Sequence, residues 1–142
     1  MKKKIIFFIA LFLIAIVSIY FFYEYKTKNL VEDFFSTDSL AEETHHISII
    51  KNDKERNITT IKKDSTLFPT FIKSLEKLKV KRTSSANFTY IEGYTFIIFH
   101  NNDLHSIHLN ENGILTFNNK TYEIQNKQSF EDFLEIVKKS TQ

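Results

Sequence analysis

The first hydrophobic segment of the chain is long, continuous and free of charge. From Ile5 to Tyr23 there are 19 residues, and 14 of them are Ile, Leu, Phe or Val. A helix of that length rises about 28 Å, close to the roughly 30 Å hydrocarbon core of a bilayer. The pattern therefore predicts a transmembrane helix over Ile5–Tyr23, preceded by a short basic tail, residues 1–4.

The residues that flank this segment predict its orientation. Lys2, Lys3 and Lys4 precede it, and basic residues next to a membrane span stay on the cytoplasmic side. Tyr20 and Tyr23 lie at the other end, where amphipathic rings favour the headgroup layer. We therefore expect a single-pass protein of the cell membrane with a cytoplasmic N-terminus and an extracytoplasmic C-terminal domain.

A cleaved signal peptide is the alternative interpretation, and it would release a secreted domain. The apolar region of a signal peptide is about 7–15 residues long and ends in small residues. Here the region is longer, and Ser18–Tyr23 contains mostly bulky side chains. The pattern favours a retained anchor, and both interpretations place the domain outside the cytoplasm.

Beyond the anchor, the sequence first becomes amphipathic and then acidic. Residues 24–35 have apolar side chains on one side and predict a juxtamembrane helix, whereas residues 36–44 are polar and acidic and predict a linker. We therefore assign residues 24–44 to a juxtamembrane helix and linker, and residues 45–142 to one extracytoplasmic domain.

Short apolar runs in this domain predict an N-terminal hairpin and a meander of four strands. The connections of the meander are rich in Asn, Asp and Gly, which accept the left-handed conformations of tight turns. The predicted strands are 46–50 and 57–61 in the hairpin, and 88–91 with 94–100, 104–110, 114–117 and 120–124 in the meander.

Two other segments have helical periodicity, with apolar residues at spacings of three and four. One follows the polar residues Asp64–Thr66 and contains Pro69 in its first turn, and the other covers about Ser129–Lys139. Val80–Ala86 is predicted to be a polar connection. The order strand, strand, helix, four-strand meander, helix predicts an α+β fold, with an antiparallel sheet and helices packed on one face.

Charge and composition exclude several classes of protein. The chain has 19 Lys and Arg against 17 Asp and Glu, and without Lys2–Lys4 the balance is 16 to 17, so no basic face for nucleic acid is expected. The absence of cysteine excludes disulfides and thiolate metal sites. A composition rich in Lys, Ile, Asn and Phe is typical of AT-rich bacteria, which points to a protein of the bacterial cell envelope.

Histidine supplies the most suggestive chemical group. If Asn102–Asp103 formed a two-residue turn, His100 would lie opposite His105 on the core face, with His108 on the other face. With Asp103, this pair could bind a metal, although zinc sites usually have three or four protein ligands. We favour polar residues that close a hairpin, and we keep a metal site and a pH-responsive pair as alternatives.

Two further surfaces have a possible role in binding. The basic stretch from Lys73 to Arg82 could contact anionic lipid or cell-wall polymer, but we favour the solvated face of an amphipathic helix. Ile97, Phe99 and Phe117 break the alternation of their strands and could lie on the wet face of the sheet. That face would then be either covered by a helix or used to bind a partner.

Catalytic motifs are missing from the sequence. The only glycines are Gly93 and Gly113, which excludes a P-loop, a dinucleotide-binding loop and a nucleophile elbow. We therefore expect no catalytic residue, cofactor or metal, and predict a membrane-tethered, non-catalytic module that binds a protein or another envelope component. The alternative is a small metal-dependent or hydrolytic envelope enzyme that uses the histidine pair.

Overall fold

A computed structural model describes residues 2–37, 39–53, 56–84 and 93–141 as five helices and eight strands. In chain order these are α1 (Lys2–Tyr25), β1 (Lys28–Asn29), α2 (Leu30–Phe35), α3 (Leu40–Glu43), β2 (Thr44–Lys51), β3 (Ile58–Lys62), α4 (Leu67–Glu76), β4 (Lys79–Arg82), β5 (Tyr94–His100), β6 (Asp103–Leu109), β7 (Ile114–Phe117), β8 (Lys120–Ile124) and α5 (Lys127–Ser140).

All eight strands belong to one antiparallel sheet, in the order β1-β4-β8-β7-β6-β5-β2-β3. The predicted α+β class is confirmed, and the expected hairpin (β2 and β3) and meander (β5 to β8) are both present. The strand predicted at 88–91 lies outside the described residues.

The structure adds two strands that the sequence pattern did not predict, β1 and β4. Strand β4 overlaps the start of the segment that we predicted to be a polar connection, so that prediction is wrong for Val80–Arg82. Only Val80 is buried there, between charged neighbours, and one apolar residue gives no visible alternation. Pairing with β1 on one side and β8 on the other makes this segment a strand.

One face of the sheet, here called the core face, packs against the helices through aromatic side chains. Phe71 of α4 and Phe133 of α5 both contact Phe96 of β5, with ring centroids 5.8 and 5.5 Å apart. Phe34 of α2 lies 5.3 Å from Phe117 of β7. Helices α2, α4 and α5 therefore cover the same side of the sheet.

The segment between α1 and β2 packs into this core. Leu30, Val31 and Leu40 are buried, and Leu40 is completely inaccessible. The side chain of Asn29 caps α2 by accepting hydrogen bonds from the N–H groups of its first turn, and its amide donates to the carbonyl of Glu76 in α4 at 2.9 Å. Residues that we predicted to be a linker thus form part of the folded unit.

Helix α1 lies outside this core. Its residues 4–23 are all exposed, and the 22 residues Lys4–Tyr25 are long and apolar enough to cross a membrane. The predicted apolar helix is therefore present. A signal sequence near the N-terminus can meet the same criteria of length and apolar composition, so the crossing of a membrane by α1 stays a prediction.

Candidate functional site

The predicted histidine pair lies at one end of the β5–β6 hairpin. Its turn is Asn101–Asn102, with φ angles of +48° and +65°, so His100 pairs with Asp103 and Ile98 pairs with His105. The predicted direct pairing of His100 with His105 is therefore wrong by two positions. A register shift of two residues leaves each side chain on the same face of the sheet. Both rings therefore still lie on the core face, with centroids 6.0 Å apart.

His100 is buried and held by a carboxylate. It is only 4% exposed, and its Nε2 lies 3.1 Å from Oε2 of Glu43, the last residue of α3. The same oxygen accepts a hydrogen bond of 2.8 Å from the side-chain amide of Asn101. Glu43 therefore connects α3 to the hairpin end and fixes the orientation of the His100 ring.

Two buried polar atoms next to this contact have no hydrogen-bond partner among the described residues. They are Nδ1 of His100 and Oγ1 of Thr44, and these two residues are cross-strand neighbours on β5 and β2. Buried polar groups are nearly always paired. The Nδ1 atom therefore retains an unused lone pair or N–H group inside the fold.

His105 has a more apolar environment. Its ring lies 4.9 Å from that of Phe35 and 6.1 Å from that of Phe117. Burial lowers the pKa of His105, the neighbouring His100 lowers it further, and Asp103 acts in the opposite direction. The neutral ring is therefore the favoured form near neutral pH.

A metal site needs more ligands than this pair supplies. Among the residues that the structure describes, no group of three or more His, Asp or Glu side chains is placed to hold one ion. His100, His105 and Asp103, the candidates from the sequence, thus offer two imidazoles and an exposed carboxylate that do not converge. Structural and catalytic zinc sites usually have three or four protein ligands.

The opposite face of the sheet, here called the open face, carries apolar side chains in contact with water. Ile58 and Leu104 are 66% and 57% exposed, and Ile97 and Phe99 are half-buried. The ring of His46 stacks on that of Phe99, with centroids 4.2 Å apart. Strand pairing places these residues on one surface, because Phe99 lies opposite Leu104 and Ile50 lies opposite Ile58.

Phe117 does not join them. It points to the core face and is buried there, because Ile107 on β6, its cross-strand partner, faces the core too. The expectation that Phe117 could lie on the wet face is therefore wrong, while Ile97 and Phe99 do lie there.

A polar network accompanies the apolar patch of the open face. Nδ1 of His108 lies 2.9 Å from Oγ1 of Thr95, and the Asn52 amide donates to that oxygen at 3.2 Å. Burial lowers the pKa of His108. The placement of His108 on the face opposite His100 agrees with the alternation along the strands.

The predicted basic stretch divides into separate surfaces. Lys73 and Lys77 line a groove of about 270 Å³ between α4 and α5, together with Asp132. Lys81 and Arg82 belong to β4, and Arg82 reaches the end of α1. The lysines and the arginine therefore do not form one continuous patch.

The two histidines with lowered pKa values make stability depend on pH. In the unfolded chain histidine titrates near about 6.5. Because the folded pKa values of His105 and His108 are lower, the unfolded state binds more protons below that pH. Their contribution to stability is present above the unfolded pKa and is lost as the pH falls through the folded pKa values.

We therefore expect full-length protein in detergent to melt at a lower temperature at about pH 5.5 than at about pH 7.5. The variant His105→Gln/His108→Gln should show a smaller difference. His45→Gln, which changes an exposed ring, is the matched control and should behave as the wild type. An identical pH dependence in the double variant would contradict the assignment.

The sequence matches no known family model, and comparisons with curated proteins and with solved structures find no match.

Proposed function

We propose that α1 anchors the protein in a membrane and that the folded domain, on the outer side, is a non-catalytic module that binds another protein through its open face. The observation that carries the proposal is the exposure of α1. Every residue from 4 to 23 is exposed, although most are large and apolar. Apolar surface costs about 25 cal/mol per Å² in water, so a helix of this length favours the bilayer.

The open face supports a protein partner. The side chains of Ile58, Phe99 and Leu104 leave apolar area uncovered, which is a common feature of interaction surfaces. Beside them is a groove of about 490 Å³ between β2 and the end of β3. Lys62 and Lys63 line this groove with one acidic residue, Asp64, which suits a partner with apolar side chains flanked by carboxylates.

The edge strand β3 suggests how such a partner binds. The N–H of Lys51 donates to the carbonyl of Asn57, and the N–H of Lys63 donates to that of His45. Because such bonds alternate along an antiparallel pair, Ile58 and Thr60 direct their backbone groups away from β2. An extended segment of the partner can therefore add to β3 as a further strand, and the rest of the partner can then lie over the open face.

The membrane topology is tested with a C-terminal epitope tag on the full chain. We expect a protease added to intact cells to remove the tag, and the protein to stay in the membrane fraction after alkaline carbonate extraction. The triple variant Lys2→Glu/Lys3→Glu/Lys4→Glu should lower the fraction of molecules whose N-terminus lies on the cytoplasmic side. Recovery in the soluble fraction would overturn the anchoring, and a tag that is digested only after lysis would overturn the proposed orientation.

The open face is tested with matched substitutions in full-length protein used as bait for envelope proteins. Leu104→Asp and Ile58→Asp should each reduce recovery of the specific partner by about tenfold or more, as expected for residues at an interface centre. Leu67→Asp is the control, because Leu67 is 43% exposed but lies on α4. Identical recovery with all three variants would exclude the open face as the binding surface.

A further inference from the structure

Helix α1 joins the folded domain with almost no connecting chain. Only Lys26 and Thr27 separate its last residue from β1, and the N–H of Lys26 donates to the carbonyl of Phe22 at 3.0 Å. The Glu24 side chain is nearly buried against the sheet edge. It accepts hydrogen bonds from Lys120 Nζ at 2.6 Å and from the guanidinium of Arg82. The end of α1 is thus fastened to β4 and β8.

Cationic side chains surround this junction. The amino groups of Lys26 and Lys28 lie 4.4 and 5.2 Å from the ring centroid of Tyr23. The guanidinium of Arg82 lies 5.6 Å from the ring of Tyr25. These contacts, together with the ion pair of Glu24, define a group that we call the basal cluster: Lys26, Lys28, Arg82 and Lys120.

The charge of the basal cluster is only partly compensated. Glu24 is paired with both Arg82 and Lys120, so one carboxylate serves two cations. Lys26 and Lys28 make no ion pair among the described residues; instead, their amino groups lie over an aromatic ring. The four cations thus exceed the single carboxylate, Glu24, that pairs with members of the cluster.

We propose that the basal cluster binds the phosphate groups of anionic phospholipids and thereby holds the side of the sheet that contains β1, β4 and β8 against the membrane surface. This inference rests on the proposed anchoring by α1. If α1 spans the bilayer, Tyr23 and Tyr25 lie in the headgroup layer, and the cations beside their rings lie at the depth of the lipid phosphates. Anionic headgroups supply the counter-charge that the protein lacks there.

The test uses full-length protein in vesicles of neutral phosphatidylcholine that contain a trace of spin-labelled lipid. Electron paramagnetic resonance then gives the association of labelled phosphatidylglycerol relative to labelled phosphatidylcholine. We expect the anionic lipid to associate about fivefold more strongly or better at low salt. Lys26→Gln/Lys28→Gln should remove most of this preference, and about 1 M salt should do the same by screening.

The matched control is Lys138→Gln/Lys139→Gln, which removes the same charge from α5. Lys138 pairs with Glu111 in the β6–β7 turn, at the opposite end of β7 from the turn that precedes Lys120. This variant should keep the preference of the wild type.

Equal association of the two lipids with wild-type protein that resists carbonate extraction would overturn the inference and leave the anchoring intact. Extraction by carbonate would overturn the anchoring itself. Competition by free inorganic phosphate at low concentration would assign the site to soluble anions instead.

Discussion

Gly93→Ala is expected to lower the free energy of unfolding by about 2–5 kcal/mol, from backbone strain together with a steric clash. Gly93 immediately precedes β5 and has a φ angle of +146°, which residues with a side chain rarely adopt. A Cβ atom there would lie 2.2 Å from the carbonyl oxygen of Leu109 and 2.9 Å from Cα of Asn110. Both are backbone atoms of the adjoining strand end, so relief requires β5 and β6 to separate.

Gly113→Ala is the matched control for this prediction. Gly113 also has a positive φ, +81°, but the nearest atom to an added Cβ is Cε1 of the Phe130 side chain, at 3.4 Å. That ring can move slightly, so only the backbone strain of about 1–2 kcal/mol remains. Thermal and urea unfolding of full-length protein in detergent measures both variants. Equal losses of stability in Gly93→Ala and Gly113→Ala would mean that the close approach to Leu109 is not what destabilises the Gly93 variant.

The parts of the fold that the sequence predicted are those specified by local patterns. Strands β6, β7 and β8 were predicted within about one residue, because alternating apolar side chains are separated by residues that accept positive φ angles. Asn118 and Asn119 adopt φ angles of +48° and +60° in the turn between β7 and β8. Helices α4 and α5 were predicted for the same reason, since each repeats apolar residues at spacings of three and four.

The elements that were missed depend on contacts distant in sequence. Strand β1 has two residues and α3 has four, too short for a periodic signal. The helix predicted over residues 24–35 is present in part as α2, because β1 separates it from α1. Asn29 is bonded to the carbonyl of Glu76, and Asn126 bonds both the carbonyl of Lys77 and the N–H of Lys79. These amides fix the ends of short elements, and a single sequence contains no local signal for them.

The candidate histidine site illustrates the same division. Alternation along the strands correctly placed His100 and His105 on one face, but the position of the turn, and with it the pairing, could not be derived from that alternation. The sequence also did not show which carboxylate lies beside His100, because Glu43 belongs to α3 and is distant from His100 along the chain. The basal cluster was missed for a related reason, since Glu24 and Lys120 are separated by most of the chain.

Leu40→Ala tests whether the acidic segment ahead of β2 belongs to the folded unit. Leu40 is completely buried in α3, so its truncation should cost about 2–5 kcal/mol of unfolding free energy through lost apolar burial and a residual cavity. Leu104→Ala, at a position that is 57% exposed, should change stability by less than about 0.5 kcal/mol. Both are measured by urea unfolding of full-length protein in detergent. Similar small effects would show that residues 36–44 are a linker, whereas a large loss for Leu40 alone means that α3 packs as part of the folded domain.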